Sequence, residues 1–160
     1  MMPLQITPAS ITDIPELCSL LTYLFTQEQE FTSDTKAQER GLRSVITNPQ
    51  IGHILVARQG GDIIAMVNLL YTISTALGER VALLEDMVVL ATARGKGVGS
   101  ALLGHALEFA KQQHCKRITL LTDPDNQEAH RFYQKNGFSQ SQMVVFRLSI
   151  DPALAGNNTD

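Results

Sequence analysis

The chain has 160 residues, of which 44% are hydrophobic and 18% are charged, and its formal net charge is −3. This length predicts a single domain over 1–150, followed by a frayed tail over 151–160. The charge gives no basis for nucleic-acid binding, no apolar run reaches the roughly 20 residues that cross a bilayer, and the start lacks the basic residues of a secretory signal.

Apolar residues recur at helical or strand spacing along the chain. In chain order we predict a strand over 4–7, helices over 10–27 and 34–47, two hairpin strands within 52–74, a strand over 80–90, a helix over 98–114, a strand over 116–122, a helix over 126–136 and a closing strand over 143–149. Gly60-Gly61 is typical of a hairpin turn, and Gly137 ends the last helix. This order indicates an α/β domain with a mixed sheet and at least one strand-helix-strand crossover.

The segment Arg94-Gly95-Lys96-Gly97-Val98-Gly99-Ser100 places three alternating glycines just before a helix. Such a turn presents unpaired backbone N–H groups, and the positive end of the helix dipole points the same way. Missing Cβ atoms let an anion approach the backbone, while Arg94 and Lys96 add charge at the rim. The segment therefore predicts a phosphate site, although a plain glycine-rich turn with solvated basic residues is an alternative.

Two nucleotide-binding loops fit this turn poorly. A nucleoside-triphosphate loop reads G-x-x-x-x-G-K-[ST], but here Lys96 precedes Gly97. A dinucleotide fingerprint, G-x-G-x-x-G, lacks its third glycine because Ser100 or Leu102 stands there. Asp123, at the end of the following strand, keeps a nicotinamide-dinucleotide oxidoreductase as an alternative.

Two motifs together resemble the GNAT superfamily of acyl-CoA-dependent N-acyltransferases. The pyrophosphate loop of that family has the form [QR]-x-x-G-x-[GA], which residues 94–99 satisfy. Its second cofactor segment begins a helix with Asn, carries Tyr seven residues later and ends in Gly-Phe, as do Asn126, Tyr133 and Gly137-Phe138. The order of elements also agrees, so the resemblance spans nearly the whole chain, with 1–50 matching only in pattern.

The resemblance implies a central, mostly antiparallel sheet flanked by helices, acetyl-CoA as acyl donor, and an amine of a small molecule or peptide as acceptor. Amides of the glycine turn would bind the pyrophosphate, and residues 87–89 would pair with the pantetheine and hold the thioester carbonyl. Asn126 would hydrogen-bond the pantetheine, although it is equally an N-cap that needs no ligand. The implied cofactor-binding residues are Met87, Val88, Val89, Arg94, Gly95, Lys96, Gly97, Val98, Gly99, Ser100 and Asn126.

An amine acceptor has to lose a proton before it attacks, because an alkyl ammonium has a pKa of about 10.4. Strand alternation predicts Leu83, Glu85, Met87 and Val89 on one face and Asp86 on the other, so that only one of the two carboxylates faces the cleft. We take Glu85 as the base, since parts of the family carry acidic residues at similar strand positions. The alternatives are a strand-end charge, an acceptor-binding carboxylate, Asp86 or a water chain.

The leaving thiolate needs a proton, and Tyr133 matches the position that supplies it in the resembled family, with a core tyrosine as the alternative. His130 is interpreted as an exposed helix residue. The two cysteines, Cys18 and Cys115, form neither a disulfide framework nor metal-ligand spacing, which favours a cytoplasmic protein without a metal. With no plausible nucleophile, transfer is expected directly within a ternary complex.

The acceptor pocket is the least determined feature. In the resembled family the first two helices and their connection shape it. Here Glu28 and Glu30 would attract a cationic amine and Arg40 or Arg43 an anionic group, while a solvated surface explains these charges as well. A CoA-binding module without catalysis is the third hypothesis, and a homodimer is compatible with all of them.

Overall fold

The structure is a computed structural model that describes residues 2–25, 34–151 and 153. Glu28, Glu30 and most of the predicted tail lie outside the described residues. Within the described ranges, no helix is long and apolar enough to span a bilayer.

Among the described residues, five strands form one sheet in the order β1-β2-β3-β4-β5, antiparallel except for the parallel pair β4–β5. The strands are β1 (Leu4–Pro8), β2 (Gly52–Gln59), β3 (Asp62–Ser74), β4 (Glu79–Val89) and β5 (Ile118–Leu120). The helices are α1 (Ile14–Phe25), α2 (Thr35–Ile46), α3 (Val98–Gln112) and α4 (Gln127–Lys135), with single 3₁₀ turns at Ile11–Asp13 and Ala91–Ala93. The predicted fold class, a mostly antiparallel mixed sheet flanked by helices, is confirmed.

The sheet separates two apolar cores. On one face α3 covers the strands and buries Leu102 and Leu103 completely. On the other face α1 and α2 cover them, with Leu17 completely buried. The alternation of β3 supplies both cores, because Val67 points to the α3 side and Met66 to the other. The result is a sheet between two layers of helices.

Local signals set the ends of several elements. The Ser10 N–H donates to the Asp13 carboxylate (2.8 Å), and Arg58 on β2 donates to the same oxygen (2.6 Å), which ties the start of α1 to the sheet. Burial alone would raise the pKa of Asp13, but the hydrogen bonds from Arg58 and Ser10 hold it below its ordinary value. Gly60 and Gly61, with φ of 62° and 89°, form the predicted hairpin turn between β2 and β3.

The predicted closing strand over 143–149 is wrong, since the structure assigns these residues to no strand. Their alternating apolar pattern is strand-like, but a strand also needs a neighbour for its backbone groups, and the sheet ends at β5. β5 itself has three residues, fewer than the predicted range of 116–122.

Candidate active site

β4 and β5 separate at one end of the sheet. β5 pairs only with residues 82–84, whereas β4 continues to Val89. On the β5 side, no strand among the described residues lies opposite 85–89. This edge of β4 therefore borders a gap, and its backbone groups are available to a ligand that pairs as a strand does.

A β-bulge interrupts β4 beside this gap. Met66 pairs with Val88 and Asn68 pairs with Glu85, so β4 has one more residue than β3 between these pairs. Asp86 within the bulge has a φ of 53°, in the left-handed region that non-glycine residues rarely adopt. Such conformations persist only where the surrounding structure holds them, and they are common at functional sites.

The bulge makes the predicted alternation of β4 wrong. The β4 residues that pack against the α3-side core are Ala82, Leu84, Met87 and Val89. Even-numbered residues of β4 face this core before the bulge, and odd-numbered residues face it after the bulge. The change occurs because the extra residue shifts the two-residue alternation by one position. Glu85 consequently lies on the face opposite Met87 and Val89, where Val88 joins the core beneath α1 and α2.

The predicted phosphate turn follows β4 after the single 3₁₀ turn at Ala91–Ala93. Gly95 and Gly97 have φ of 77° and 80°, and Gly97 is the N-cap of α3. A Cβ built on either glycine has no heavy atom within 4 Å, so the surface of the turn is open. The N–H groups of residues 98–100 precede the first intrahelical bond, which runs from the Ala101 N–H to the Gly97 carbonyl. Open backbone, free donors and the positive helix end are the features that an anion site requires.

Gly99 differs from the other two glycines. A Cβ at this position lies 3.3 Å from Cζ of Phe132, which belongs to α4. The missing side chain of Gly99 therefore makes room for α4 and brings Tyr133, the next residue, close to the start of α3. The alternate glycines thus have two roles, since Gly95 and Gly97 shape the turn and Gly99 admits a helix.

Arg94 is engaged with the protein itself. Its Nε donates to the Val89 carbonyl (3.2 Å), and its guanidinium lies 5.5 Å from the ring centroid of Tyr23 on α1. Such cation–π contacts stabilise modestly at exposed positions. Arg94 therefore connects the turn to β4 and α1, whereas Lys96 is exposed. Tyr23 was not among the predicted site residues, since no local sequence pattern relates it to Arg94.

The two adjacent carboxyl groups belong to one cluster. Partial removal from water raises the pKa of Glu85, the charge of Asp86 raises it further, and Arg147 acts in the opposite direction. Burial also raises the pKa of Asp86, against the effect of the hydrogen bond that Asn68 Nδ2 donates to it (3.4 Å). The predicted separation of Glu85 and Asp86 onto two faces is therefore wrong, because the alternation fails in the bulge.

Asn68 was also not among the predicted site residues. It is 7% exposed, and its Oδ1 has no hydrogen-bond partner among the described residues. A buried acceptor without a hydrogen-bond partner costs free energy, so Asn68 Oδ1 does not stabilise the fold. We interpret this oxygen as part of the candidate site. The signal for it was present in the sequence, since Asn68 is the single polar residue in the run IIAMVNLL.

Tyr133 lies on α4 with its ring against Phe132 and Phe138, at centroid distances of 5.2 and 5.7 Å. Burial raises its pKa to about 12, so the hydroxyl is protonated at neutral pH. The described residues give this hydroxyl no hydrogen-bond partner. Tyr133 packs against the same core as Met87 and Val89, which brings α4 to the gap beside β4.

The start of α4 is held by two polar contacts. The Asn126 side chain accepts a hydrogen bond from the Ala129 N–H (3.0 Å), which is an N-cap. The ring of His130 lies 2.9 Å from the Asp123 carbonyl and is half-buried. Neither residue needs a ligand for these contacts. Arg40 and Arg43 are exposed on α2.

The sheet does not favour the dinucleotide alternative. The dinucleotide fingerprint binds its ligand at the carboxyl ends of the strands in a doubly wound, mostly parallel sheet. The sheet of this protein is antiparallel apart from the pair β4–β5. Across the described residues, no group of three or more His, Cys, Asp or Glu side chains is arranged to hold a metal ion.

Comparisons with known proteins agree with this geometry. Residues 16–138 match the acetyltransferase (GNAT) family. The "Uncharacterized N-acetyltransferase YhfO" of Bacillus subtilis is 34% identical over 133 residues, which cover 81% of this chain and 89% of the relative. The aminoalkylphosphonate N-acetyltransferase of Salmonella typhimurium is 27% identical over 137 residues, 86% of each chain.

Solved structures show the same fold. An aminoglycoside N-acetyltransferase in complex with CoA superposes with a TM-score of 0.79 over 94% of this chain and 97% of its own, at 17% identity. At that identity the likeness concerns the fold alone. The family match and the N-acetyltransferase relatives concern the chemistry, and together they show that the chain belongs to the acetyltransferase (GNAT) family and is an acyltransferase.

Proposed function

We propose that this enzyme transfers an acetyl group from acetyl-CoA to the amine of a small molecule, by direct attack in a ternary complex. One observation carries the proposal, namely the unpaired edge of β4 running straight into the glycine turn that begins α3. An acyl-CoA presents its groups in the matching order, with a thioester, two amides and then a pyrophosphate. A nucleotide without the amide-bearing arm would leave the β4 edge unused.

The donor binds through backbone groups. Its amides pair with residues 87–89 as an added strand, and one N–H there polarises the thioester carbonyl and stabilises the oxyanion that develops. The pyrophosphate binds the N–H groups of residues 98–100 at the positive end of α3, which has 15 residues. Lys96 adds charge, and Arg94 keeps the turn against β4. Asn126 orients the start of α4 and hydrogen-bonds the pantetheine with its remaining amide group.

The acceptor amine approaches the bulge of β4. Glu85 removes its proton, and the raised pKa of Glu85 makes this carboxylate a stronger base than an ordinary glutamate. Asp86 and the unpartnered Asn68 Oδ1 lie next to it and supply further acceptors for an ammonium group. The amine then attacks the thioester carbon, the C–S bond breaks, and Tyr133 donates its proton to the departing thiolate.

A small-molecule acceptor is supported by the relatives. The Salmonella relative is named for aminoalkylphosphonates, which carry an amine and an anion in one small molecule. On this chain the exposed Arg40 and Arg43 of α2 are the candidates for binding such an anion. A peptide amine is the alternative acceptor.

The proposal is tested by CoA release. The protein is incubated with acetyl-CoA and aminoalkylphosphonates, amino sugars, aminoglycosides, polyamines, amino acids or peptides, and free thiol is measured. We expect release with at least one small-molecule amine, and thermal stabilisation by acetyl-CoA but not by NAD. Tyr133→Phe should keep that stabilisation and lose about 10²-fold in kcat, the usual scale for a general acid.

Tyr71→Phe is the matched control, because Tyr71 bonds His53 (2.7 Å) and takes no part in the proposed chemistry. Full activity in Tyr133→Phe would contradict the role of Tyr133 as general acid, and it would leave the rest of the proposal unchanged. Stabilisation by acetyl-CoA without turnover of any amine would indicate a non-catalytic CoA-binding module, and stabilisation by NAD instead would indicate the oxidoreductase.

A further inference from the structure

The loop between β5 and α4 is open to solvent. Residues 121–126 join Leu120, the last residue of β5, to the first turn of α4, and all six are exposed. The loop begins where β5 stops pairing with β4, at Leu84 and Leu120, which is also where the gap beside β4 begins. Because apolar packing does little to fix exposed residues, polar contacts have to hold the loop beside the gap.

His130 makes a contact that closes this loop. Its Nε2 lies 2.9 Å from the carbonyl oxygen of Asp123, and since a carbonyl only accepts, Nε2 carries the proton. The same oxygen accepts the backbone N–H of Asn126 (3.1 Å). One carbonyl of the loop is therefore bonded both to the residue that caps α4 and to a side chain one turn into that helix.

These contacts also fix the orientation of Asn126. Its backbone N–H is held by the Asp123 carbonyl, and its Oδ1 accepts from the Ala129 N–H (3.0 Å). Since Oδ1 is used by the cap, Nδ2 is the group of this side chain that can be offered to a ligand. Nδ2 is a donor, and the amides of an acyl-CoA arm carry carbonyl oxygens that accept.

On the basis of the proposed function, we propose that His130 is a positioning residue of the donor site. Its bond to the Asp123 carbonyl fixes the loop, and the fixed loop directs Nδ2 of Asn126 toward an amide carbonyl of the arm. His130 acts through Asn126, so its loss weakens binding of the arm. The chemical step is little changed, because Phe138 packs on Tyr133 beyond the other end of α4 (5.7 Å between ring centroids).

Calorimetry tests this role by comparing acetyl-CoA with ADP, which has a pyrophosphate but no amide arm. His130→Leu removes the donor, whereas His130→Gln keeps one, because Nε2 of glutamine reaches about as far from the backbone as Nε2 of histidine. We expect His130→Leu to bind acetyl-CoA about 3- to 10-fold more weakly, the usual effect of one lost hydrogen bond, with ADP affinity and kcat unchanged. His130→Gln should stay within about twofold of the wild type for acetyl-CoA.

Two further variants complete the comparison. Gln134→Leu is the matched control, since Gln134 is exposed one turn later on the same helix, and it should leave both affinities unchanged. Asn126→Ser keeps a good N-cap and loses the amide donor. If His130 acts through Asn126, the double variant His130→Leu/Asn126→Ser should bind acetyl-CoA no more weakly than Asn126→Ser alone.

Unchanged acetyl-CoA affinity in His130→Leu would overturn this role, and so would an equal loss of ADP affinity, which indicates structural damage to the whole donor site. A defect in His130→Gln as large as in His130→Leu, or additive losses in the double variant, would also overturn it. If His130→Leu fails to unfold cooperatively, His130→Ala replaces it, and the same outcomes apply. A wild type that binds no acetyl-CoA would overturn the proposed function as well, whereas the other outcomes leave that function standing.

Discussion

Asp86 shows how one residue in an unusual conformation organises the acceptor side. Its φ of 53° costs free energy, of order 1 kcal/mol or more for a non-glycine residue. In return, the bulge brings the carboxyl groups of Glu85 and Asp86 together beside Asn68, on a strand that would otherwise separate them. Burial and the neighbouring charge of Asp86 both raise the pKa of Glu85, which makes this carboxylate a stronger base than an ordinary glutamate.

The pH dependence of Glu85→Gln tests its role as base. The pKa of Glu85 is raised, so the active carboxylate is lost as pH falls through that raised value, and wild-type kcat/KM should decrease at a higher pH than for an ordinary glutamate. Glu85→Gln should be most defective near neutral pH and recover as pH rises toward the amine pKa of about 10.4, because free amine needs no base.

Asp86→Asn is the matched neighbour for this experiment. It keeps an oxygen for the bond from Asn68 and should lose less activity than Glu85→Gln. A constant ratio of Glu85→Gln to wild type across pH would reduce Glu85 to a binding residue. A larger loss of activity in Asp86→Asn than in Glu85→Gln would indicate that Asp86 is the base.

At the scale of elements, α3 connects the two halves of the proposed donor site. Its N-terminus carries the free N–H groups, and its second residue, Gly99, admits Phe132 of α4. The helix that we propose binds the phosphates therefore also positions the helix that carries Tyr133. Gly97 and Gly104 sit in the same helix region in different conformations, since Gly97 has a φ of 80° and Gly104 is an exposed helical residue.

The two glycines make a matched pair of substitutions. Gly97→Ala forces a β-carbon into left-handed backbone at a cost of roughly 1–2 kcal/mol, and we expect lower stability and about tenfold weaker acetyl-CoA binding by calorimetry. Gly104→Ala has no heavy atom within 4 Å of the new Cβ and should stabilise the helix, by about 1 kcal/mol, with binding unchanged. Equal acetyl-CoA affinity in the two variants would show that the glycine turn does not bind acetyl-CoA.

Across the whole molecule, the cysteines lie where they cannot serve as acyl carriers. Cys18 is buried in the core beneath α1 and α2, and Cys115 packs beside Arg80 and Tyr71, near the start of β4. Burial raises the pKa of both thiols, with Glu39 adding to the effect at Cys18, so neither forms a thiolate readily at neutral pH.

Direct transfer therefore predicts intersecting initial-rate lines, since amine and acetyl-CoA are bound together at the moment of reaction. Mass spectrometry of the protein with acetyl-CoA alone should show no added acetyl group on Cys18 or Cys115. Parallel lines together with an acetylated cysteine would contradict the ternary complex.

Several features of the site were predictable because they depend on neighbours in the chain. Gly95, Gly97 and α3 lie within a few residues of one another, and Asn126 and Tyr133 lie two turns apart on one helix. The hairpin at Gly60-Gly61 is equally local. Turn chemistry and helical periodicity act over such distances, so the sequence predicts them well.

The sequence by itself determined the α/β class, the order of the elements from β1 to α4, the glycine turn before α3 and the helix that carries Tyr133. Only the tertiary structure decided the bulge at Asp86, the place of Asn68 beside it, the contact of Arg94 with Tyr23 and the absence of a strand over 143–149, where a closing strand was predicted. These features depend on the register between distant strands and on which edge receives a partner. The two-residue alternation within one segment specifies neither the register nor the edge, because strand pairing depends on two segments.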